Sequence, residues 1–457
     1  MGNERSAAGE LDSYRQVEQK LLARWPESRL EPSLDRIRAL CTLMGDPQHS
    51  YPVVHLTGTN GKTSTARMVD ALLRTLDLRT GRFTSPHLER VTERISVDGE
   101  ELGPDGFVRL YDEVSPYADV VDASSEHPLS FFELITAMGF AAFADAPVDA
   151  AVIEVGLGGS WDATNVADAA VAVITPIAVD HQHFLGDTPG AIAEEKSGII
   201  KPGTFAVVAS QPVEAAEVLL RRSAEVGATV AREGLEFGVL SRTPGLGGQL
   251  VSLQGLGATY EDIFLPLYGA HQAHNAACAL AAVEAFAGGK GLTGGLDPGL
   301  VQTAFAAVTS PARLEIIRRS PTVILDAAHN PAGAAATAEA VQEAFSLSPL
   351  IGVLGVMADK DVEGVLAEFE PVLAAVVCTQ NSTSRALPAK ELAEVAEGIF
   401  GAERVEVAAR LDDALDRAVT LAEASDSDAI GLGSGGVLVT GSVITAGEAR
   451  TLLGSGR

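Results

Sequence analysis

The sequence predicts an α/β fold: a doubly wound, mostly parallel sheet with a small antiparallel sheet attached, then a second, smaller Rossmann-like α/β domain. Three observations predict it. A chain of 457 residues exceeds what one ordinary core encloses and suits two domains of unequal size. Short apolar runs of buried-strand type alternate with helical stretches, as parallel sheets covered on both faces require. Between the two alternating regions lies a stretch of Gly-punctuated runs that reads as antiparallel.

In chain order, Leu11–Ala23 reads as a polar amphipathic helix, and a Pro-containing stretch separates it from a short helix near Leu34–Met44. Val53–Leu56 forms an apolar strand that enters a Gly-containing loop. The helix beyond carries Met68, Val69, Leu72, Leu73 and Leu76 on one face. Buried-type strands are expected at Ala150–Val155, Val171–Thr175 and Phe205–Ala209, with helix at Phe131–Ala144. Residues from about Ala228 to Leu267, including LEFGVL and QLVSLQGL, are expected to form the small antiparallel sheet at the edge of the first domain. An Ala-rich helix, Asn275–Phe286, follows. Alternation resumes with strands at Thr322–Leu325, Leu350–Val356, Ala374–Thr379 and Val437–Thr440. Helix gives way to SPARLE near Thr309–Pro311, so residues 1–308 and 309–457 are assigned to the two domains. The cleft between them is the expected ligand site.

Composition excludes several classes of function. The chain has 33 basic against 61 acidic side chains, and a net charge of -28 opposes binding to a phosphate backbone, so nucleic acid is not an expected partner. No unbroken apolar stretch reaches membrane-spanning length, and Met1–Leu11 is polar rather than a signal segment. Cys41, Cys278 and Cys378 are too widely spaced for a disulfide framework or a metal pair, which fits a reducing cytoplasm. The negative field also repels anionic ligands at long range. An anion site here must therefore rest on backbone amides, metal ions and a few placed cations.

Such a site is written at TGTNGKTST, Thr57–Thr65, between the predicted strand and helix. Gly58 and Gly61 permit a tight turn, and the amides of Thr59 and Asn60 lie between them. Lys62 reaches outer phosphates, and Thr63 or Ser64 supplies a hydroxyl to phosphate or Mg²⁺. This is a P-loop for ATP or a related nucleotide. Glu154 ends a buried strand at the edge where open α/β sheets bind ligands, and Mg²⁺ needs only one or two carboxylates beside nucleotide oxygens.

The spelling GTNGKT is similar to the loop of the muramyl peptide ligases and the folylpolyglutamate synthases. FTSPHL (Phe83–Leu88), IEVGLGG (Ile153–Gly159), DATN (Asp162–Asn165), VDHQHFLG (Val179–Gly186), EEKSGIIKPG (Glu194–Gly203), HNAACAL (His274–Leu280), PARLE (Pro311–Glu315) and LDAAHNP (Leu325–Pro331) follow in order. From about Pro52 to the final VLVTGS the chain resembles the folylpolyglutamate synthase/dihydrofolate synthase family of the Mur ligase superfamily.

That resemblance implies an ATP-dependent amide ligase. The γ-phosphoryl group passes to a folate or dihydropteroate carboxylate, and the amino group of L-glutamate attacks the acyl phosphate. It implies two Mg²⁺ ions, with Ser85, Glu154 and His181 as ligands and Lys196 as a carbamate; read alone, Lys196 is a surface helix lysine. It further implies Asn275, Arg313 and Asp326 at ATP, His329 near the glutamate, Phe132, Glu133, Asp162 and Ala163 at the pterin, and a monomer. Ser160 and Trp161 stand where the family commonly has Arg and an aliphatic residue, which removes one cation. A muramyl peptide ligase shares the chemistry but lacks TSPHL and GLGGxxDATN. A GTPase would need an Asn-Lys-x-Asp motif, for which ADKD at Ala358–Asp361 is misplaced. A non-catalytic ATP-binding regulator would not need Ser85, Glu154, His181 and Lys196 together.

Overall fold

The computed structural model describes residues 2–26, 32–291, 294–424 and 435–454. Eight strands form the first sheet: β1 (Val53–Thr57), β2 (Thr80–Phe83), β3 (Ile95–Val97), β4 (Glu100–Glu101), β5 (Ala150–Glu154), β6 (Ala169–Ile174), β7 (Phe205–Val208) and β8 (Thr229–Arg232). Their order is β4-β3-β2-β5-β1-β6-β7-β8, parallel except at the β3 and β4 edge. All five residues of β1 are buried, as a central strand covered on both faces demands. After β1 the chain crosses to β2 on one side, and only β6 to β8 extend the other. The strand order therefore reverses around β1, and the loops after β1, β5 and β6 open together at the ligand-binding end.

One face of this sheet is covered by the helices Lys62–Thr75 and Ala270–Gly289, which share a core with Val54, Leu56, Val152 and Val173. Helices Pro104–Ser124 and Phe131–Asp145 cover the other face. The three-stranded antiparallel sheet, β9 (Gly238–Gly245), β10 (Gly248–Gln254) and β11 (Thr259–Leu265), packs on the first of these cores through Val251, Leu253 and Ile263.

The second sheet is β12 (Glu315–Arg319), β13 (Thr322–Leu325), β14 (Leu350–Leu354), β15 (Ala375–Cys378), β16 (Val405–Val407) and β17 (Gly436–Thr440), in the order β12-β13-β17-β14-β15-β16. Only β12 is antiparallel to its neighbour.

The expected α/β architecture with its three sheets is what the chain forms, with two corrections. Thr229–Arg232 lies in the stretch read as antiparallel, but it is the parallel outer strand of the large sheet, paired with β7. The β2 to β4 edge was not expected. Thr80–Phe83 is short, and it carries Arg82, whose guanidinium is buried against Asp70 at 3.2 Å. A charged residue inside a strand hides its apolar pattern.

The two sheet domains meet at several points. At the rim Arg242 pairs with Glu343 at 2.6 Å, and Arg450 with Glu89 at 2.7 Å. Helix Val443–Gly454 lies on the Ser85–Leu88 loop so closely that a Cβ at Gly447 would stand 2.0 Å from the Leu88 carbonyl oxygen. Among the described residues no helix is long and apolar enough to cross a membrane.

Candidate active site

The phosphate loop follows β1. Gly58 and Gly61 adopt φ of +146° and +88°, and a Cβ on either would strike Thr175 Oγ1 at 1.9 Å or Asn275 Oδ1 at 2.4 Å. Only glycine fits both positions. Thr59 is pinned to the loop after β6, its hydroxyl donating to the Ala178 carbonyl at 2.9 Å and accepting from the Ala178 amide at 3.0 Å. Ser64 Oγ lies 3.0 Å from Ser310 Oγ, which ties the start of the helix to the interdomain linker.

Behind the loop, Lys62 Nζ and Lys196 Nζ both donate to the Gly58 carbonyl, at 3.0 and 2.9 Å. Lys196 is only 4% exposed, so it is not the surface lysine its helix position suggests. Burial, then the neighbouring Lys62 charge, pulls its ammonium down to about 7. Burial also lowers Lys62, against the pull of Glu154 and Asp180.

Glu154 accepts from Thr63 Oγ1 at 2.9 Å and from the Ser85 amide at 3.4 Å. Burial raises its carboxyl despite these donors and Lys62. The Ser85 hydroxyl beside it is buried without a hydrogen-bond partner. A buried carboxylate short of positive charge and an orphaned hydroxyl fit a hard divalent cation. Among the described residues no three of His, Cys, Asp and Glu are placed to hold a metal by themselves, so an ion here would complete its shell with phosphate and water oxygens. That is the habit of Mg²⁺ rather than of zinc.

In front of the loop lies a cleft of about 1280 Å³ walled by both domains. It brings together the predicted residues Ser85, Phe132, Glu133, Asp162, Ala163, His181 and His329. Glu133 caps its own helix with Ser130 and accepts from Arg36 Nε at 3.1 Å. Phe132 meets Phe83 edge to face at 6.0 Å. Burial pushes Asp162 up to about 6, although it accepts from the Leu157 amide at 2.9 Å and from the Thr164 amide and hydroxyl. Trp161 lines the cleft, whereas Ser160 turns away and donates to the Glu195 carbonyl at 2.9 Å.

None of the expected nucleotide residues lines this cleft: the phosphate loop, Gly58–Ser64, borders it from behind, and Asn275, Arg313 and Asp326 lie outside it as well. Asn275 backs Gly61. Asp326 is 4% exposed, and its carboxylate accepts from the amides of Leu314 and Ala328 and from the Thr337 hydroxyl. Arg313 stands in the linker between Ala312 and Leu314, both left-handed at φ 53° and 48°, and donates to the Ala312 carbonyl.

Sequence reasoning missed Asp180, Asn330 and Lys360. Asp180 Oδ1 accepts from Lys360 Nζ at 2.5 Å, and Oδ2 accepts from Asn330 Nδ2 at 3.0 Å with His329 Nε2 3.5 Å away. Burial alone would raise this carboxyl, but His329, Lys360 and His181 together hold it far below the usual range. Burial pulls His181 down to about 4 despite Asp180, which keeps its ring neutral and fit to be a ligand. Asp180 precedes His181 within VDHQHFLG. Lys360 stands in ADKD, far from VDHQHFLG, and nothing local pairs residues 180 positions apart.

The family follows from this layout and from relatives that share it. A model of the Mur ligase middle domain matches residues 56–283, and one of the Mur ligase glutamate ligase domain matches 312–442. The chain is 53% identical to the dihydrofolate synthase/folylpolyglutamate synthase of Mycobacterium tuberculosis, over 97% of this chain and 95% of that one. This chain belongs to the dihydrofolate synthase/folylpolyglutamate synthase family. A structure of the Mycobacterium tuberculosis folylpolyglutamate synthase complexed with ADP superposes with a TM-score of 0.94 at 52% identity, covering 97% of this chain and 99% of that one. Escherichia coli FolC in complex with DHPP and ADP gives 0.82 at 28% identity, covering 97% and 98%. Members of this family are ATP-dependent ligases, and a P-loop facing a two-domain cleft is the arrangement such a ligase needs.

Proposed function

We propose that this chain joins L-glutamate to both dihydropteroate and tetrahydrofolate, forming an amide with ATP through an acyl phosphate. The observation that carries the reading is the cleft itself. Ser85, Asp162 and Phe132 from the first domain face His329 and Lys360 from the second across one volume beside the phosphate loop. An acceptor, a phosphoryl donor and an amine can meet there.

The chain's residues divide the work. The phosphate-loop amides and Lys62 hold the nucleotide, with Lys62 leaving the Gly58 and Thr59 carbonyls for phosphate oxygens. Asn275, Arg313 and Asp326 are assigned to the nucleotide as well, Arg313 engaging it from the linker. Ser85, Glu154, His181 and a carbamylated Lys196 would hold two Mg²⁺ ions, which neutralise phosphate charge when bound. Lys196 is suited to that modification, because an ammonium lowered to about 7 leaves a neutral amine to add carbon dioxide. Phe132, Glu133, Asp162 and Ala163 line the acceptor side, and Lys360, with the His329 ring beside it, offers positive charge to a carboxylate of the incoming glutamate. Closure of the second domain, taken as residues 309–457, excludes water that would hydrolyse the acyl phosphate. The chain is taken to act as a cytoplasmic monomer.

The test is phosphate release with ATP, Mg²⁺ and L-glutamate, with dihydropteroate, tetrahydrofolate or a muramyl nucleotide as acceptor and product masses recorded. Amide formation on both pteridines is expected. Product from the muramyl nucleotide alone would overturn the substrate assignment.

A further inference from the structure

We propose that Asp180 is a positioning residue that seats the second domain on the phosphate loop and thereby keeps ATP hydrolysis coupled to amide formation. The inference rests on the ligase reading and extends it to a residue outside the nucleotide and metal sets.

Four contacts within 3.5 Å saturate the Asp180 carboxylate, and the His181 ring stands 4.0 Å from it. Oδ1 accepts from its neighbour's amide, His181 N, at 2.7 Å and from Lys360 Nζ at 2.5 Å. Oδ2 accepts from Asn330 Nδ2 at 3.0 Å, and His329 Nε2 is 3.5 Å away. Three of these partners belong to the second sheet domain, and they come from two separate segments, those after β13 and β14. Asn330 continues the chain of contacts into the phosphate loop. Its amide exchanges hydrogen bonds with the Asn60 amide at 3.1 and 3.2 Å, while its Oδ1 also caps helix Pro331–Ala344 at Gly333 N.

Burial separates this cluster from the other ionic contacts between the domains. Asp180 and Lys360 side chains are 8% and 7% exposed, whereas Arg242–Glu343 and Arg450–Glu89 lie at 20% exposure or more. Water screens the rim pairs, so they do little to fix geometry. A buried lysine that loses its counter-charge is strongly disfavoured, so the seated arrangement depends on Asp180. Like Arg385, which is paired with Asp359, Lys360 and His329 also line the cleft from the second domain. Whatever seats them also places the amine-side wall.

The chemical consequence is a partition. In coupled turnover the glutamate nitrogen attacks the acyl carbon, the C–N bond forms, the C–O bond to the phosphoryl group breaks, and the amine proton leaves to solvent. When the domain is not seated, a water oxygen attacks the same carbon and returns the acceptor carboxylate, phosphate and a proton, with no amide.

The experiment measures phosphate released per amide formed, KM for L-glutamate and ADP affinity for the wild type, Asp180→Asn, Lys360→Met and the double variant. The proposal expects a ratio near one for the wild type and about threefold higher in each single variant, with KM for glutamate raised about tenfold and ADP affinity within about twofold. The double variant should be no worse than either single one, because the two residues act as a pair. A ratio that stays at one while activity falls would overturn the proposal, since misfolding lowers phosphate and amide together. Additive effects in the double variant would overturn it as well. Should Asp180→Asn not fold, the phosphate-to-amide ratio of Lys360→Met carries the test, its KM for glutamate being set aside because Lys360 also meets the substrate. A wild type that makes no amide from any acceptor would instead remove the ligase reading.

Discussion

Lys62 and Lys196, 134 positions apart, converge on the single carbonyl oxygen of Gly58 at 3.0 and 2.9 Å. Two ammonium groups sharing one acceptor in a buried place repel each other, so one of them gives up its proton readily. Lys196, the more deeply enclosed, is lowered to about 7. Carbamate formation needs the neutral amine, whose fraction grows as pH rises through that value. Protein depleted of carbon dioxide should be poorly active at pH 6 and recover on adding bicarbonate at pH 8. Labelled bicarbonate should give a carbamate carbon resonance that Lys196→Ala lacks, with turnover lowered about 10²-fold.

Glu154 is expected to separate stability from activity. Its carboxyl is raised by burial, so the ion-free fold carries an unfavourable charge that Glu154→Gln removes while keeping an acceptor for Thr63. Melting of the variant without nucleotide should occur at or above the wild-type temperature. Phosphate release should fall about 10²-fold or more.

Gly61→Ala tests the phosphate loop. Its φ of +88° and the 2.4 Å approach to Asn275 Oδ1 leave the methyl group no place. Strain of about 1–3 kcal/mol is expected at such a position, enough to weaken ADP binding about tenfold or more by calorimetry.

Asp162 links the acceptor wall to pH. Its folded carboxyl is raised from 3.8 to about 6. The stability it contributes is therefore complete below its unfolded value of 3.8 and is lost as pH rises through about 6. Asp162→Asn cannot titrate, so the stability difference between wild type and variant should shift against the wild type from pH 4 to 6, and then level off. Denaturant titrations at several pH values check the sign.

The parallel strands and the phosphate loop were legible because each is a local pattern: an apolar run, a glycine pair, a lysine at a fixed offset. Glu154 was legible for the same reason, as a charge at the end of an apolar strand. Lys196 was not, since three charged residues in a row, Glu194 to Lys196, look solvated until the Gly58 carbonyl is found above the third. Thr80–Phe83 escaped because Arg82 finds its counter-charge on a helix rather than in its own strand. The Asp180 cluster joins three segments, and no window of sequence contains more than one of them. Motifs order residues along the chain, but partners across a domain interface are fixed only by folding.

Gly447 is a gauge of clearance. Helix Val443–Gly454 rests on the Leu88 carbonyl with room for a hydrogen and nothing larger, so the smallest possible side chain sets how near the two halves can come. Alanine, serine and valine at this one place would act as shims of graded thickness between them. Such a series would meter how far apart the halves can stand before glutamate transfer stops, without replacing any side chain of the cleft.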